Sequence, residues 1–176
     1  MIYIVNGFPG SGKTTFEQFC KEQLKEYCQI ISSIQFVKTI ARICGWDGTK
    51  TEKNRKFLSD LKDILTQWDD VPFKEILESI DKIKLMFKSY DADFSRAAIF
   101  IDCREPEEIE RLKTALNAKT IIVRRNEIEN QSHSNHADSH VLDYTYDLII
   151  ENNGTLEDLK EAAHTFLRSE NLLNCE

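Results

Sequence analysis

Apolar and polar residues follow one another in blocks that predict alternating strands and helices. Short apolar blocks, each closed by polar residues or glycine, are typical of the buried strands of a parallel sheet. Between these blocks, apolar residues recur every three or four positions, which predicts amphipathic helices. The strand blocks are 2–5, 30–31, 97–101, 120–123 and 147–151. This alternation predicts a three-layer α/β/α fold, in which helices cover both faces of a five-stranded parallel sheet.

The longest helical stretch lies between the second and third predicted strands. Ser32 and Ser33 are suited to cap its first helix, and Pro72 is suited to open a later one. Apolar residues keep helical spacing through most of the segment. We therefore expect a single domain over residues 1–176, with a helical insertion at 33–90.

Charge and composition exclude several kinds of partner. The 176 residues include 23 lysines and arginines against 30 acidic residues, a formal charge of -7, whereas proteins that coat nucleic acid or anionic membrane need a basic surface. The five cysteines form no C-x-x-C pair, and no apolar stretch approaches the ~18 residues of a membrane span. We expect a cytoplasmic protein, a monomer or a homodimer, that binds neither long nucleic acids nor membranes.

The strongest motif directly follows the first predicted strand. Residues 7–15 read G-F-P-G-S-G-K-T-T, a full match to the phosphate-loop pattern G-x-x-x-x-G-K-[ST] between a strand and a helix. In such loops, backbone N–H groups surround a phosphate and the helix N-terminus adds its positive dipole end. Lys13 would bridge the β- and γ-phosphates of ATP, and Thr14 would coordinate Mg2+. The predicted phosphate-binding residues are Gly7, Gly10, Ser11, Gly12, Lys13, Thr14 and Thr15.

Two charged residues follow the third apolar block. Asp102 stands at its end, where a carboxylate commonly holds the water shell of the metal ion; the alternative is an acid that only caps the next helix. Arg104 stands two residues further on, where its charge would face the phosphates being exchanged, unless it is an ordinary surface residue. The pair predicts phosphoryl-transfer chemistry, with Asp102 acting on the metal through water.

The rest of the sequence narrows the class of phosphate-loop protein. A regulatory GTPase would carry a guanine-reading N-K-x-D and a transporter ATPase an L-S-G-G-Q signature, and neither motif occurs. Residues 32–65 hold seven basic residues against four acidic ones, so a positively charged island follows the second strand. That island suits an anionic acceptor such as a monophosphate, although solvated helix faces with i,i+4 ion pairs would give the same composition.

Several short motifs occur in a fixed order along nearly the whole chain. After the phosphate loop come Ser33 to Lys38 and Arg55, then I-D-C-R at 101–104, I-V-R at 122–124 and D-L-I-I-E-N-N-G-T-L at 147–156. In this order they resemble the phage deoxynucleoside monophosphate kinase family, and equally the related animal phosphomevalonate kinases. The resemblance implies an adenylate-kinase-like fold, ATP as the phosphoryl donor and a small phosphorylated acceptor.

The resemblance also implies roles for single residues. Asp102 and Arg104 match the D-x-R that follows the central strand of the family, and Arg124 falls where a basic residue leads into the lid. Asn152 and Asn153 match a turn near the adenine.

Acceptor-binding residues depend on the resemblance as well. Ser33, Lys38 and Arg55 take this role by position.

The phosphate loop departs from the family pattern at one position. Family members often read G-K-D where this chain reads G-K-T at 12–14, so we expect this chain to bind the metal ion more as the general phosphate-loop pattern does.

A polar segment rich in histidine, asparagine and serine precedes the last predicted strand. Residues 125–141 suit a short lid that closes over the nucleotide and excludes water, and His136 and Asp138 within it would contact the substrate. Histidines at 133, 136 and 140 beside Asp138 also allow a metal-binding interpretation, but their spacing is loose for a ligand set.

Together these features predict a Mg2+-dependent kinase that moves the γ-phosphoryl group of ATP to a small phosphorylated acceptor, foremost a nucleoside or deoxynucleoside monophosphate. Lys13, Asp102, Arg104 and Arg124 would carry catalysis by alignment and charge neutralisation. Two alternatives stay open, namely phosphomevalonate or another phosphometabolite kinase, and a non-catalytic nucleotide-binding module.

Overall fold

A computed structural model of the chain describes residues 1–49, 51–129 and 141–173. In chain order the strands and helices are β1 (Ile2–Asn6), α1 (Lys13–Leu24), β2 (Cys28–Ser32), α2 (Gln35–Ile43), α3 (Glu52–Asp69), α4 (Val71–Ser89), β3 (Ala98–Asp102), α5 (Pro106–Leu116), β4 (Lys119–Arg124), α6 (Asn126–Glu129), β5 (Leu148–Glu151) and α7 (Leu156–Ser169). Short 3-10 helices at Lys25–Tyr27 and Phe94–Arg96 precede β2 and β3.

The five strands form one parallel sheet in the order β2-β3-β1-β4-β5. The central strand β1 pairs with β3 on one side and β4 on the other, with Val5 opposite Asp102 and Ile121. β4 then pairs with β5, which places Arg124 opposite Glu151. The predicted five-stranded parallel sheet is confirmed, and it brings the carboxyl ends of β1, β3 and β4 side by side.

Helices pack on both faces of the sheet. On one face, α1 and α7 cover a core of four aromatic rings, in which Phe166 stacks edge-on against Tyr3 at 5.1 Å and against Phe16 at 5.4 Å between ring centroids. On the other face, α5 packs against β1 and β4 and buries Ile109 and Leu112. Complete burial of each such side chain contributes roughly 1.5–3 kcal/mol, so this core fixes where α1 begins relative to the sheet.

The chain divides into two compact units, Met1–Ile31 with Asp93–Glu176, and Ser32–Ala92. The second unit consists of α2, α3 and α4, and α3 packs against both of the others. The buried nonpolar side chains include Val37 and Ala41 of α2 and Ile76, Ile80 and Phe87 of α4.

The two serines before α2 do not cap it. The helix begins at Gln35, Ile34 occupies the N-cap position, and no described side chain accepts a hydrogen bond there. Because Ser32 still belongs to β2 and Ser33 precedes the N-cap, the prediction that they cap this helix is wrong.

Two polar networks join the strands at their amino ends, on the side of the sheet opposite the glycine loop. The Tyr3 hydroxyl donates to Glu170 Oε2 at 2.8 Å, and Lys119 Nζ donates to the same oxygen at 2.7 Å. Thr120 donates to Asp147 Oδ2 from its backbone N–H at 2.8 Å and from its hydroxyl at 2.9 Å. These bonds fix the starts of β1, β4 and β5.

In the part of the chain that the structure describes, none of the helices combines the length and the apolar character that a membrane crossing requires.

Candidate functional site

The loop between β1 and α1 has a backbone that requires glycine. Gly7 and Gly12 adopt φ angles of +146° and +100°, in the region that side chains disfavour. A methyl group on Gly7 would overlap the Val123 carbonyl oxygen of β4, and one on Gly12 would overlap the Asn152 side-chain amide. The loop is therefore in tight contact with β4 and with the turn after β5. A side chain at either glycine would fill the space between them.

The N-terminus of α1 presents its backbone N–H groups without a side-chain cap. Gly12 is its N-cap residue, no side chain caps it, and its first turn holds no acidic residue. By contrast, Thr155 and Asp158 form a full capping box on α7. Uncapped N–H groups at the positive end of a helix dipole favour an anion, so this terminus suits a phosphate.

Lys13 and Ser11 add polar groups to the same loop. The Lys13 ammonium donates to the carbonyl oxygens of Gly7 and of Phe8, the latter at 3.0 Å. The Ser11 hydroxyl is buried and has no hydrogen-bond partner among the described residues. A cationic group across the loop and an unsatisfied hydroxyl inside it fit the phosphates of a nucleotide. Thr14 is exposed and Thr15 half-buried in the first turn of α1.

Asn6 ties the start of the loop to two distant segments. Its buried side chain accepts from the Gly7 N–H at 2.8 Å, and donates to the Arg104 carbonyl at 3.2 Å and to the Tyr146 hydroxyl at 2.7 Å. Tyr146 in turn donates to the Val141 carbonyl at 2.9 Å. The sequence reasoning missed Asn6, although a polar residue that ends an apolar strand before the glycine loop was a usable signal.

The turn after β5 also holds the loop in place. Asn152 is buried, and its side-chain amide donates to the Ser11 carbonyl at 2.8 Å. The next residue, Asn153, accepts from the Asn126 N–H of α6 at 2.8 Å. Asn152 thus contacts the phosphate loop and Asn153 contacts α6, and their predicted contact with adenine stays a prediction.

Two acidic residues belong to the elements that border the phosphate loop, one at the end of β3 and one on α1. Asp102 is half-buried at the end of β3 and does not cap α5, whose N-cap position is Glu105. Glu17 is fully buried in α1, four residues after Lys13, and neither of its carboxylate oxygens has a hydrogen-bond partner in the described residues. Burial, reinforced by the charge of Asp102 and opposed by that of Lys13, raises the pKa of Glu17. The sequence reasoning missed Glu17, whose signal was an acid on the apolar stripe of α1.

The predicted catalytic arginines lie at the same sheet edge in different settings. Arg104 is exposed in the loop after β3. Arg124 ends β4 and is held by Glu129 of α6, with Nε to Oε1 at 2.9 Å and Nη2 to Oε2 at 2.7 Å. This hydrogen-bonded pair raises the pKa of Arg124 and lowers that of Glu129. A more distant contact joins Arg124 to Glu151 at 3.9 Å.

The predicted acceptor residues belong to the helical unit Ser32–Ala92. Ser33 is buried just before α2, Lys38 is half-buried on α2, and Arg55 is exposed on α3. One lysine of the basic island, Lys56, pairs with Asp60 across one helical turn at 2.8 Å, as the alternative of a solvated helix face predicts.

The predicted lid and its histidines fall mostly outside the described residues. His136 and Asp138 lie there, as do the other histidines of the suggested metal cluster. Within the described ranges, no group of three or more histidine, cysteine, aspartate or glutamate side chains is placed to hold a metal ion.

Comparison with known proteins identifies a fold. No family model matches the sequence, and no curated protein matches it. Among solved structures, the chain is similar to shikimate kinase from Aquifex aeolicus, with a TM-score of 0.53 and 13% identity over 99% of this chain and 100% of that one. Lower scores relate it to dephospho-CoA kinase from Campylobacter jejuni (TM-score 0.49, 16% identity, 96% of each chain) and to a sugar kinase from Janibacter (TM-score 0.46, 14% identity, 99% of this chain and 98% of that one).

At such identities, a structural likeness carries the fold and not the substrate. The narrower resemblance to phage deoxynucleoside monophosphate kinases and animal phosphomevalonate kinases therefore stays a prediction. The likeness to shikimate kinase over the whole chain agrees with the parallel sheet and with the glycine loop that joins β1 to α1. The chain has the fold of the P-loop kinases.

Proposed function

We propose that the chain is an ATP-dependent kinase that transfers the γ-phosphoryl group to the phosphate of a small acceptor, a nucleoside or deoxynucleoside monophosphate. The observation that carries the proposal is the loop after β1, where the Lys13 ammonium lies across the carbonyls of a glycine cradle that leads into an uncapped helix. Backbone N–H groups and one cation in this arrangement suit the β- and γ-phosphates of a nucleotide.

In the proposed reaction, a phosphate oxygen of the acceptor attacks the γ-phosphorus of ATP. A new phosphorus–oxygen bond forms there, the bond to the β–γ bridging oxygen breaks, and ADP leaves. Because the acceptor oxygen is already nucleophilic, the protein acts by alignment and charge neutralisation. Lys13 would hold the donor phosphates, and Arg104 and Arg124 would neutralise charge on the transferred group. Arg124 would exchange the Glu129 carboxylate for phosphate oxygens.

Thr14 and Asp102 are the residues that would hold Mg2+, the first by its hydroxyl and the second through water. Both present oxygen donors, the type that Mg2+ prefers, and Mg2+ commonly keeps several waters beside one or two carboxylates. When bound, the ion would neutralise charge on the donor phosphates.

The acceptor class is supported by charge and by the resemblance. The basic island at 32–65 belongs to the helical unit, and Ser33, Lys38 and Arg55 are its proposed acceptor-binding residues. We propose Asn152 and Asn153 as neighbours of the adenine, since their side chains bond to the phosphate loop and to α6.

A panel of acceptors tests the proposal. ADP release from ATP and Mg2+ would be followed in a coupled assay with each nucleoside and deoxynucleoside monophosphate, with phosphomevalonate, and with no acceptor. We expect release that depends on one or a few of the nucleotides. If ADP is released only with phosphomevalonate, the acceptor is a phosphometabolite and not a nucleotide. If ATP binds but no acceptor leads to ADP release, the chain is a nucleotide-binding module without transfer activity.

Replacement of the loop lysine tests the mechanism. We expect Lys13→Ala to lower kcat/KM for the best acceptor by roughly 100-fold or more. We expect the fold to survive, because two hydrogen bonds of the Lys13 ammonium go to carbonyls of its own loop. Lys21→Ala, an exposed change in the last turn of the same helix, serves as the matched control. Transfer at the normal rate in Lys13→Ala would contradict the mechanism.

A further inference from the structure

Glu17 is a buried acid that the proposed mechanism leaves without a role. Its side chain is fully inaccessible, and both carboxylate oxygens lack a hydrogen-bond partner among the described residues. An unsatisfied buried polar group costs roughly 1–3 kcal/mol, and a charged one costs more. Such a group in a folded protein calls for an explanation, and an ion or water that completes its hydrogen bonds is a common one.

The position of Glu17 connects it to the phosphate loop. It lies on α1 four residues after Lys13, so the two side chains share a helix face. The charge of Asp102, at the end of the neighbouring β3, reaches Glu17 and raises its pKa beyond the effect of burial. Asp102 also lies opposite Val5 at the end of β1 that leads into the phosphate loop, and a cation there would offset the repulsion between the two negative charges.

Several other buried polar residues of the described chain have ordinary structural partners. Asn6 and Asn152 hold the loop through side-chain hydrogen bonds of 2.7–3.2 Å, and Thr120 and Glu170 bond within the networks at the other sheet edge. Glu17 differs from them in having no such partner. A purely structural role therefore does not account for it.

We propose that Glu17 is a positioning residue for the divalent cation that accompanies the nucleotide, and that together with Asp102 it accepts hydrogen bonds from the water shell of that ion. The inference depends on the proposed function, because it requires nucleotide in the loop. Mg2+ dehydrates reluctantly and commonly keeps its waters beside carboxylates. Carboxylates that hydrogen-bond to the ligands of a metal ion, without touching the ion, change its affinity.

The test measures metal binding instead of turnover. Mn2+ would be titrated into the protein with ADP, and free Mn2+ would be followed by electron paramagnetic resonance. We expect Glu17→Gln, which keeps the side-chain volume, to weaken Mn2+ binding in the ADP complex by about 10-fold or more. Binding of ADP in EDTA should stay unchanged. Glu22→Gln, an exposed change on the same helix, should behave like the wild type.

A second measurement separates this role from a structural one. Without metal, Glu17→Gln should unfold at the same temperature as the wild type or higher, because a neutral amide is less costly to bury than an unpartnered carboxylate. Stabilisation by Mn2+ with ADP should nevertheless shrink. Glu17→Asp keeps the charge one methylene further back and should lose an intermediate amount of Mn2+ affinity, so it provides the same test if Glu17→Gln does not fold.

The outcomes distinguish the two proposals. Mn2+ affinity within twofold of the wild type in a folded Glu17→Gln, beside normal ADP binding, would overturn the role of Glu17 and leave the kinase proposal intact. A metal-free Glu17→Gln that is markedly less stable, with unchanged Mn2+ affinity, would assign Glu17 to the core. Failure of the wild type itself to bind ADP would overturn the kinase proposal, and the role of Glu17 with it.

Discussion

Gly12→Ala tests the geometry of the phosphate loop most directly. Gly12 adopts a φ of +100° immediately before α1, and a methyl group there would overlap the Asn152 amide and lie 3.3 Å from Leu159 Cδ2. The amide cannot move away freely, because it donates to the Ser11 carbonyl at 2.8 Å in a buried setting. We expect the substitution to strain the backbone and to separate the turn after β5 from the loop.

Two effects set the size of the change. A left-handed backbone costs a non-glycine residue roughly 1–2 kcal/mol, and a buried amide that loses its partner costs roughly 1–3 kcal/mol. Gly12→Ala should therefore lower the free energy of unfolding by about 2–5 kcal/mol. Gly10→Ala is the matched control, since Gly10 has a φ of +84° but its nearest neighbour would be Ile128 Cδ1 at an ordinary 3.5 Å. It should lose only the backbone part, about 1–2 kcal/mol.

The assay is thermal or urea unfolding without nucleotide. In a protein of this size, each kcal/mol shifts Tm by roughly 2–4 °C, so the difference between the two variants is measurable. In an Asn152→Ala background the overlap disappears, and the added cost of Gly12→Ala should fall to that of Gly10→Ala. If Gly12→Ala and Gly10→Ala lower the free energy of unfolding of the wild type by the same amount, the reasoning is refuted.

Two further predictions concern the networks at the opposite sheet edge. Tyr3→Phe removes the 2.8 Å hydrogen bond to buried Glu170 and should cost roughly 1 kcal/mol in urea unfolding; an unchanged midpoint would contradict this. Burial alone would raise the pKa of Asp147, but hydrogen bonds from Lys113 and Thr120 hold it below its usual range. Because the pKa is lower in the folded state, this stability is present above about pH 4 and is lost as pH falls further. Asp147→Asn should therefore have a lower free energy of unfolding than the wild type at pH 6, and the difference should shrink as the pH falls below about 4. A difference that did not shrink on acidification would refute the assignment.

The strands and the phosphate loop could be predicted because their signals are local. Each strand block of the sequence matches an observed strand within two residues. In β1, β3 and β4 the reason is burial inside a parallel sheet, which selects an unbroken apolar run. The glycine pattern at 7–12 directly encodes a backbone that turns at positive φ. Cap positions were less predictable. Ser33 has the right chemistry for a cap, but α2 begins two residues after it, and sequence patterns do not fix helix ends to single residues.

The partners of the site residues could not be predicted, because they come from distant parts of the chain. Asn6 bonds to the Tyr146 hydroxyl 140 positions away, and no local pattern encodes that contact. The carboxylate that holds Arg124 is nearer, in α6, but which of several nearby acids takes this place depends on how the chain turns after β4. Sequence reasoning named Lys13, Asp102, Arg104 and Arg124 but missed Glu17, and the pairing of charged groups follows from the topology of the sheet.

The buried polar atoms without partners support ligand binding at the loop independently of the motif. Within the described residues, these side-chain atoms are the Ser11 hydroxyl and the two Glu17 oxygens. Both residues lie within four positions of Lys13, one on each side. Folding alone gives no reason for the unsatisfied atoms to gather there, since each carries a desolvation cost wherever it lies. Departures from complete polar satisfaction are expected where function requires them. Their position beside an uncapped helix N-terminus is explained if a bound phosphate satisfies Ser11 and a hydrated cation satisfies Glu17.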